Sequence, residues 1–499
     1  VFWEDLKNYI SKFNCIIAVD PKLHSIKEIH KIQIYILNTS SRINFLESNI
    51  VDSIWKNKPN IKYSNIFDHP LKYAGIDRVK KLTDFKKDLK KKNLDYYFIT
   101  GLDNIAWLLN IRADDILYTP LVYAYLLISQ NKIPCLYINT EKINEQLKAE
   151  IEKYVYIHSI DNIENIFSNI NNDKVVGLDY SSTTYYFLNL LKKNNINYKD
   201  SENFCILSKS VKNQIEQVGA LNANIRDGVS VTRFIYWLKN EININSTNEI
   251  IASNHLEKLR ANNDLFHSLS FDTISAFGKN AALPHYRVDE VSNTKFQIDN
   301  IYLVDSGAQY YDGTTDITRT IILGTPSDEQ KDRFTRVLKG HIALSNHVFK
   351  KGTKGTEIDY LARKSLNEIG CDYDHGTGHG IGSFLSVHEA PQRIAKKSMF
   401  DSIELIPGMI LSNEPGYYKL NEYGIRIENL ILVKEKSDDL LYFENLSWCP
   451  IDRELVKKEL LNTQEIDWLN KYHLNVFIKL NKFINNKEKK WLKKVTEAL

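Results

Sequence analysis

Four carboxylates and one imidazole between residues 305 and 428 have the residue types and local contexts of a metal site. They are Asp305, Asp316, His379, Glu414 and Glu428. With the imidazole neutral, their charge would be balanced by two divalent cations, and mostly oxygen ligands with one nitrogen favour Mn²⁺, with Co²⁺ and Zn²⁺ as alternatives. Two such ions about 3.5–4 Å apart can hold and deprotonate a water and polarise the carbonyl that it attacks. The residues therefore predict metal-assisted hydrolysis by a bridging hydroxide.

Two apolar segments must position the first two carboxylates. Residues 297–305 and 316–324 each have the apolar content of a strand, and the loop between them contains the turn pair Asp312-Gly313. In an antiparallel pair, Asp305 and Asp316 would lie opposite one another, where repulsion would raise one pKa unless a cation lay between them. For this pair alone, a polar hairpin with both side chains at the surface is the simpler interpretation.

A glycine-dense segment and a strand end supply the next two candidates. Residues 375–382 can approach a site closely and place two imidazoles, His375 and His379, beside it. Glu414 stands at the end of a short apolar strand that the following Pro-Gly pair stops. A histidine pair at this spacing is as often structural as ligating, so neither element is decisive alone.

The last candidate lies in an alternating segment, residues 424–433. As one strand, it would point Ile425 and Ile427 to one side and Arg426 and Glu428 to the other. A buried glutamate needs a partner, which a metal ion or Arg426 could provide.

Composition excludes several classes of protein. The chain has 499 residues, 43% apolar and 25% charged, with a net charge of +3. This balance indicates a globular protein of two or three domains and gives no support to a nucleic-acid partner. The longest apolar run, residues 121–128, is far shorter than the roughly 20 residues that span a bilayer, so no membrane partner is expected.

The cysteines predict a reducing compartment. All five are far apart and none forms a CxxC pair, which favours free thiols and a cytoplasmic location. The first residue is Val1, which leaves room for an upstream targeting segment.

The order of helical and strand patterns predicts an α/β protein with three parts. Residues 1–76 resemble the end of a domain whose beginning is missing, residues 77–203 form a second α/β domain, and residues 204–499 carry the site. Within these parts we expect helices at residues 78–92, 212–240 and 247–261, a helix capped by Asp103, apolar segments at residues 15–19 and 32–37, and strands at residues 96–99, 121–128, 134–138 and 175–178.

Several motifs together resemble the pita-bread metallopeptidases, and among them the aminopeptidase P family of the cytosolic, three-domain kind. The motifs are residues 284–287 (PHYR), 305–319 (DSGAQYYDGTTDITR), 375–385 (HGTGHGIGSFL), 387–391 (VHEAP), 413–418 (NEPGYY), 102–112 (LDNIAWLLNIR) and 467–473 (DWLNKYH). The resemblance implies two creatinase-like N-terminal domains, the first incomplete, a pita-bread catalytic domain with a C-terminal extension, and a homodimer. It also implies that Asp305 serves one metal, that His379 and Glu414 serve the other, and that Asp316 and Glu428 bridge them.

The same resemblance implies the substrate, a peptide whose second residue is proline and whose first residue is removed. A prolyl amide has no N–H, so the site needs a pocket for the ring and a donor near the carbonyl. We expect His388 to donate to the carbonyl oxygen and the oxyanion, and Glu414 to carry the water proton to the leaving nitrogen. By resemblance, His285 and His375 line the proline subsite.

Three further residues are candidates to orient the ligands: Tyr286, Arg287 and Arg426. One departure from the family pattern lies beside them, because Val288 stands where the family usually has proline.

Two rival interpretations stay open at this point. A prolidase would cut only Xaa-Pro dipeptides, and the two N-terminal domains and the C-terminal extension favour the aminopeptidase instead. A non-catalytic scaffold of the same fold would have lost ligands, whereas all five are present here.

Overall fold

The computed structural model of the protein describes residues 2–397 and 403–499. Its helices are α1 (Phe2–Lys12), α2 (Ile26–Ile36), α3 (Ile50–Ile54), α4 (Leu71–Ala74), α5 (Arg78–Lys91), α6 (Leu102–Leu109), α7 (Glu145–Ile151), α8 (Tyr185–Lys193), α9 (Cys205–Ser210), α10 (Gln214–Asn240), α11 (Glu249–Ala261), α12 (Asp328–Ser345), α13 (Gly355–Asn367), α14 (Thr463–Leu480) and α15 (Asn486–Val495).

The strands of the first part of the chain are β1 (Ile16–Val19), β2 (Arg42–Phe45), β3 (Phe67–Asp68), β4 (Tyr96–Ile99), β5 (Ile111–Arg112), β6 (Tyr125–Ser129), β7 (Cys135–Ile138), β8 (Tyr156–Ser159), β9 (Val175–Leu178) and β10 (Asn197–Asp200). Those of the second part are β11 (Phe266–Leu269), β12 (Ile274–Phe277), β13 (Asn300–Ser306), β14 (Ala308–Tyr310), β15 (Gly313–Thr314), β16 (Ile317–Leu323), β17 (Val348–Lys350), β18 (Gly378–Gly380), β19 (Glu389–Ile394), β20 (Ile410–Asn413), β21 (Gly416–Lys419), β22 (Tyr423–Arg426), β23 (Asn429–Ser437) and β24 (Leu440–Asn445).

The chain divides into two compact units. Unit 1 consists of Val1–His69, Ile76–Ile116 and Leu121–Cys205, and unit 2 of Pro70–Gly75, Leu117–Pro120 and Ile206–Leu499. The division of the N-terminal half at residues 76 and 77 stays a prediction.

Unit 1 is built on a mixed six-stranded sheet in the order β10-β9-β4-β6-β7-β8. The central strand β4 pairs in parallel with β9 and antiparallel with β6, and all four of its residues are buried. Aromatic rings fill one side of the sheet, where Phe98 contacts Phe167 and Phe187. An apolar β-strand with helices packed on it is the α/β pattern that the sequence predicts.

Unit 2 has a six-stranded antiparallel sheet in the order β17-β24-β23-β20-β18-β19 and a three-stranded sheet in the order β12-β13-β16. Its long helices begin at capping boxes: Asn213 with Glu216 starts α10, and Ser327 with Gln330 starts α12. The apolar faces of α12 and α14 pack with strands β16 and β22 in a core cluster that includes Ile322, Leu338 and Ile425. This core supports the strands at whose ends Asp305, Asp316 and Glu414 lie.

Most predicted elements are confirmed, with three corrections. The helix at residues 102–109 is capped by Gly101, and Asp103 lies in its first turn. The apolar run 121–128 contributes only its last four residues to a strand, Tyr125–Ser129. The apolar segment 32–37, for which no helix or strand is predicted, lies in and just after helix α2. The segment 424–433 forms two strands, β22 and β23, with a break at Ile427 and Glu428.

No helix in the described ranges is both long and apolar enough to cross a membrane.

Candidate metal centre and active site

The two aspartates come from neighbouring strands of the three-stranded sheet. Strand β13 pairs antiparallel with β16, and Asp305 is opposite Thr318. Asp316 immediately precedes β16, so the two aspartates are diagonal neighbours on one face of the sheet. The prediction that they lie directly opposite one another is therefore wrong. Both are buried. Burial, together with Glu428 and Asp305, raises the pKa of Asp316 well above its usual value.

His379 is the middle residue of β18. A Cβ at Gly378 would lie 2.0 Å from the backbone oxygen of Ser412, so glycine is needed for the close approach of β18 to β20. The His379 backbone N–H donates to Ser412 Oγ at 2.9 Å. Its Nδ1 lies 3.0 Å from the carbonyl oxygen of Gly380, to which it can only donate. The Nε2 lone pair therefore faces the carboxylates, at 3.5 Å from Asp316 Oδ2 and 3.4 Å from Glu414 Oε1.

Burial keeps this imidazole neutral. It lowers the pKa of His379 to about 3, with His388 adding to the effect. A neutral ring with its Nδ1–H committed to a carbonyl is the form in which histidine binds a metal.

Glu414 follows β20 directly. Its backbone N–H donates to the carbonyl oxygen of Thr377 at 2.8 Å, and Ser412 Oγ donates to its Oε1 at 3.1 Å. Burial raises the pKa of Glu414 to about 8, with Asp305 adding to the rise while Arg426 opposes it. Without a cation beside it, this carboxyl group therefore resists ionisation near neutral pH.

Glu428 lies in the break between β22 and β23, and this break is what aims it at the site. Its backbone N–H donates to the carbonyl oxygen of Thr318 at 3.2 Å, and Thr318 Oγ1 donates to its Oε2 at 2.7 Å. The residue is 1% exposed. Burial, Asp305 and Glu414 raise the pKa of Glu428 well above its usual value.

The structure brings the predicted ligands together. One ligand atom each from Asp316, His379 and Glu428 lie within 4.8 Å of one another. Asp305 is tied to the same centre by Arg426, whose Nη2 lies 2.5 Å from Asp305 Oδ2. The other Asp305 oxygen, Oδ1, is buried without a hydrogen-bond partner among the described residues.

This arrangement fits metal ions. The Arg426 guanidinium lies among these four carboxylates, and burial together with their mutual repulsion raises the pKa values of Asp316, Glu414 and Glu428. Cations at the centre would remove the repulsion and give Asp305 Oδ1 a partner.

The three other histidines surround this centre differently. His375 is locked in place, because its Nδ1 lies 2.8 Å from the carbonyl oxygen of Gly376 and its Nε2 lies 2.8 Å from the Tyr418 hydroxyl. Burial and Arg426 lower the pKa of His375 to about 3. The exposed His388 contacts the His379 ring edge-on, at 4.2 Å between centroids.

The third histidine, His285, is exposed. It contributes to the lowered pKa values of His375 and His388, which places it near both.

Of the three residues expected to orient ligands, only Arg426 is found to do so. Besides Asp305, it donates to Thr318 Oγ1 at 3.2 Å and to the Tyr418 hydroxyl at 2.6 Å. Tyr286 instead donates to Glu249 Oε2 at 3.0 Å, and the exposed Arg287 pairs with Asp272. Neither of these contacts reaches a predicted ligand, so a ligand-orienting role for Tyr286 and Arg287 finds no support among the described residues.

Three site residues escaped the sequence analysis: Thr318, Ser412 and Tyr418. Thr318 and Ser412 each lie two positions from a predicted ligand, Asp316 and Glu414, and strand alternation puts such residues on the same face. The two-residue spacing could therefore have identified Thr318 and Ser412 as neighbours of the ligands. The Tyr418 contacts depend on the β21–β22 pairing, which the sequence does not reveal.

Three family models match the chain. The model described as metallopeptidase family M24 matches residues 219–435, the creatinase/prolidase N-terminal domain matches residues 57–216, and the C-terminal region of peptidase M24 matches residues 439–499. The first contains all five predicted ligands, and the three together follow the order of domains expected from the sequence.

Curated relatives match over nearly the whole chain. A probable Xaa-Pro aminopeptidase P from Talaromyces marneffei is 36% identical over 519 aligned residues, which cover 100% of this chain and 78% of that protein. Aminopeptidase P1 from Arabidopsis thaliana is 35% identical, over 91% of this chain and 78% of that protein.

Solved structures share the fold. X-prolyl aminopeptidase from Caenorhabditis elegans, described as a cytosolic enzyme with a di-nuclear active site, superposes with a TM-score of 0.92 at 33% identity. That match covers 97% of this chain and 81% of the other. Prolidase from Pyrococcus furiosus gives a TM-score of 0.58 at 22% identity over 72% of this chain and 98% of its own, a likeness of fold alone. The predicted fold class, α/β with creatinase-like and pita-bread domains, is confirmed.

Proposed function

Because this chain belongs to the Xaa-Pro aminopeptidases of metallopeptidase family M24, we propose that it removes the N-terminal residue from peptides whose second residue is proline. The observation that carries the proposal is the meeting of ligand atoms from Asp316, His379 and Glu428 within 4.8 Å, beside Glu414 and Asp305. A relative with a di-nuclear active site supports it at 33% identity.

Two divalent ions are proposed to bind to Asp305, Asp316, His379, Glu414 and Glu428. Asp305 would serve one ion, His379 and Glu414 the other, and Asp316 and Glu428 both. The 3.5 Å and 3.4 Å separations of His379 Nε2 from Asp316 and Glu414 support this grouping. Mn²⁺ suits the mostly oxygen donors best, with Co²⁺ and Zn²⁺ as alternatives. When bound, the ions supply a deprotonated water and polarise the scissile carbonyl.

The chain's own residues would move the protons. Glu414, placed beside the attacking water as a proposed ligand, would accept the proton of that water and pass it to the proline nitrogen as the bond breaks. Ser412 Oγ fixes one oxygen of this carboxylate, which keeps the group aimed at the reacting atoms.

The histidines would recognise the bond. His388 donates to the carbonyl oxygen, where negative charge develops. His375 has both ring nitrogens engaged, by Gly376 and Tyr418, so it offers the proline ring a fixed apolar surface and not a hydrogen bond. His285 lines the same subsite from its exposed position. This arrangement suits a tertiary amide, which has no N–H to donate.

Location and assembly are proposed from relatives. The Caenorhabditis elegans relative is described as cytosolic, and we propose the same location for this chain. A homodimer is proposed from the resemblance of the chain to its family.

The test is a panel of peptides given to metal-stripped protein with Mn²⁺, Co²⁺ or Zn²⁺ added back. We expect release of the first residue from Xaa-Pro tripeptides and longer peptides, and none from a matched Xaa-Ala tripeptide. Cleavage confined to Xaa-Pro dipeptides would identify a prolidase instead. Failure to bind any of the three metals would point to a scaffold protein.

A further inference from the structure

A buried ion cluster outside the ligand set anchors the residue that follows His388. Glu389 begins β19, and its fully buried carboxylate accepts a hydrogen bond from Lys209 Nζ at 2.8 Å and a second from Lys212 Nζ. The lysine side chains are 2% and 1% exposed. Lys212 Nζ also donates to the carbonyl oxygen of Lys209 at 3.0 Å, which ties the three residues into one unit. We refer to Lys209, Lys212 and Glu389 as the lysine clamp.

Charges this deeply buried need pairing to be tolerated. Removing the carboxylate would leave two unpaired ammonium groups in the interior, a loss that typically destabilises a protein by about 3–5 kcal/mol. Removing one lysine leaves one ammonium group paired with the Glu389 carboxylate, a pair with no net charge. The clamp therefore tolerates loss of either lysine better than loss of Glu389, and single lysine variants are the ones that should fold.

His388 depends on its neighbours for its position. Within the described residues, its imidazole makes the ring contact with His379 and no hydrogen bond. On one side, Val387 is buried in an apolar cluster with Ile381 and Leu430. On the other side, Glu389 is held by the clamp and pairs with Gly380 across β18 and β19. An exposed ring without its own hydrogen bonds must be placed by the backbone on either side of it.

We propose that the lysine clamp is a positioning device that holds His388 over the metal centre, so that Lys209, Lys212 and Glu389 act on catalysis only through His388. This inference rests on the proposed function and extends it to residues that touch neither metal nor substrate. The lysines lie near the beginning of the Ile206–Leu499 segment of unit 2, in and just after α9, while Glu389 is separated from them by 180 and 177 positions in the chain. Helix α9 and the turn into α10 thereby support the edge of the active site.

The experiment compares Lys209→Met and Lys212→Met with Lys81→Met as a matched control. Lys81 is also a buried lysine, but it lies in unit 1 and donates to Trp107 and Asn110. We expect each clamp variant to lower kcat for an Xaa-Pro tripeptide about tenfold or more, because small misplacements of a reacting group are costly. KM and calorimetric Mn²⁺ affinity should stay within about twofold of wild type. Lys81→Met should lower stability to urea without lowering kcat.

A double-mutant cycle separates positioning from general damage. In a His388→Ala background, Lys212→Met should lower kcat no further, since the residue that it positions is already gone. An equal drop in both backgrounds, or a loss of Mn²⁺ affinity large enough to explain the whole effect, would overturn the proposal.

The position of His388 in a crystal structure tests the lysine clamp even if the protein does not have the proposed activity. A wild-type protein that releases no residue from any Xaa-Pro peptide would refute the function and not the clamp. The crystal structure of Lys212→Met should then show His388 displaced from its edge-on contact with His379. An unmoved His388 ring would overturn the clamp by itself.

Discussion

Replacing Glu414 with glutamine should stabilise the metal-free protein and abolish its stabilisation by metal. The physical reason is that burial raises the pKa of this carboxyl to about 8, which means that the folded protein resists its ionisation while the unfolded chain does not. For a carboxyl whose pKa is raised on folding, the penalty is absent below the unfolded pKa of about 4.3 and grows as the pH rises towards the folded pKa.

The size of the effect follows from the interval between the two pKa values. At 1.36 kcal/mol per unit, the raised pKa of Glu414 costs the metal-free fold about 3–4 kcal/mol at pH 7, where the folded protein must keep this carboxyl largely protonated, and about 1 kcal/mol at pH 5. Glu414→Gln removes that penalty, so its metal-free form should exceed the wild type in free energy of unfolding by these amounts. Added Mn²⁺ should raise the stability of the wild type and leave the variant nearly unchanged.

The assay is urea unfolding of metal-stripped protein, followed with and without Mn²⁺ at the two pH values. Glu389→Gln is a matched control, because the same substitution at a carboxylate paired with two lysines should destabilise the protein. A metal-free Glu414→Gln protein that is less stable than the wild type at pH 7 would refute the reasoning, as would a benefit that does not shrink at pH 5.

Three further predictions concern single histidines. His379→Ala should abolish turnover of an Xaa-Pro tripeptide while the protein stays folded by circular dichroism, because the ring supplies the only nitrogen ligand of the proposed set; retained activity would contradict the ligand assignment. His388→Ala should lower kcat by about 10²–10³-fold with unchanged Mn²⁺ affinity, the usual loss for one oxyanion donor, and a change confined to KM would argue against that role. Burial lowers the pKa of His473 to about 3 while Ile451 N–H donates to its Nε2. This depressed pKa makes the fold lose stability as the pH falls below about 6.5. Between pH 7 and pH 5 the free energy of unfolding of His473→Gln should therefore fall by about 2 kcal/mol less than that of the wild type. Equal losses would show that His473 does not resist protonation.

A site residue could be predicted from the sequence where one short motif contains both the ligand and the glycine or proline residues that shape the backbone around it. His379 sits among glycines whose lack of a side chain permits the contact of β18 with β20, and Glu414 stands where a Pro-Gly pair ends a strand. Such local patterns place a residue on a strand end without knowledge of its partners.

Errors arose where long-range pairing decides the geometry. The offset between Asp305 and Asp316 follows from the β13–β16 register, which the loop sequence does not specify. The alternation of apolar and polar residues continues through Ile427 and Glu428, so the local sequence does not indicate the break between β22 and β23. At this break the Glu428 N–H donates to the carbonyl oxygen of Thr318. The lysine clamp joins residues 180 positions apart, and no periodicity links them.

The central claim is that two metal ions at this site cleave the bond before a proline at position two. Titrating metal-stripped protein with Mn²⁺, while following release of the first residue from an Xaa-Pro tripeptide, tests it most directly. We predict no release without metal and a rate that rises until two ions are bound per chain. Full activity in excess chelator, or release that is equally fast from an Xaa-Ala peptide, would contradict the claim.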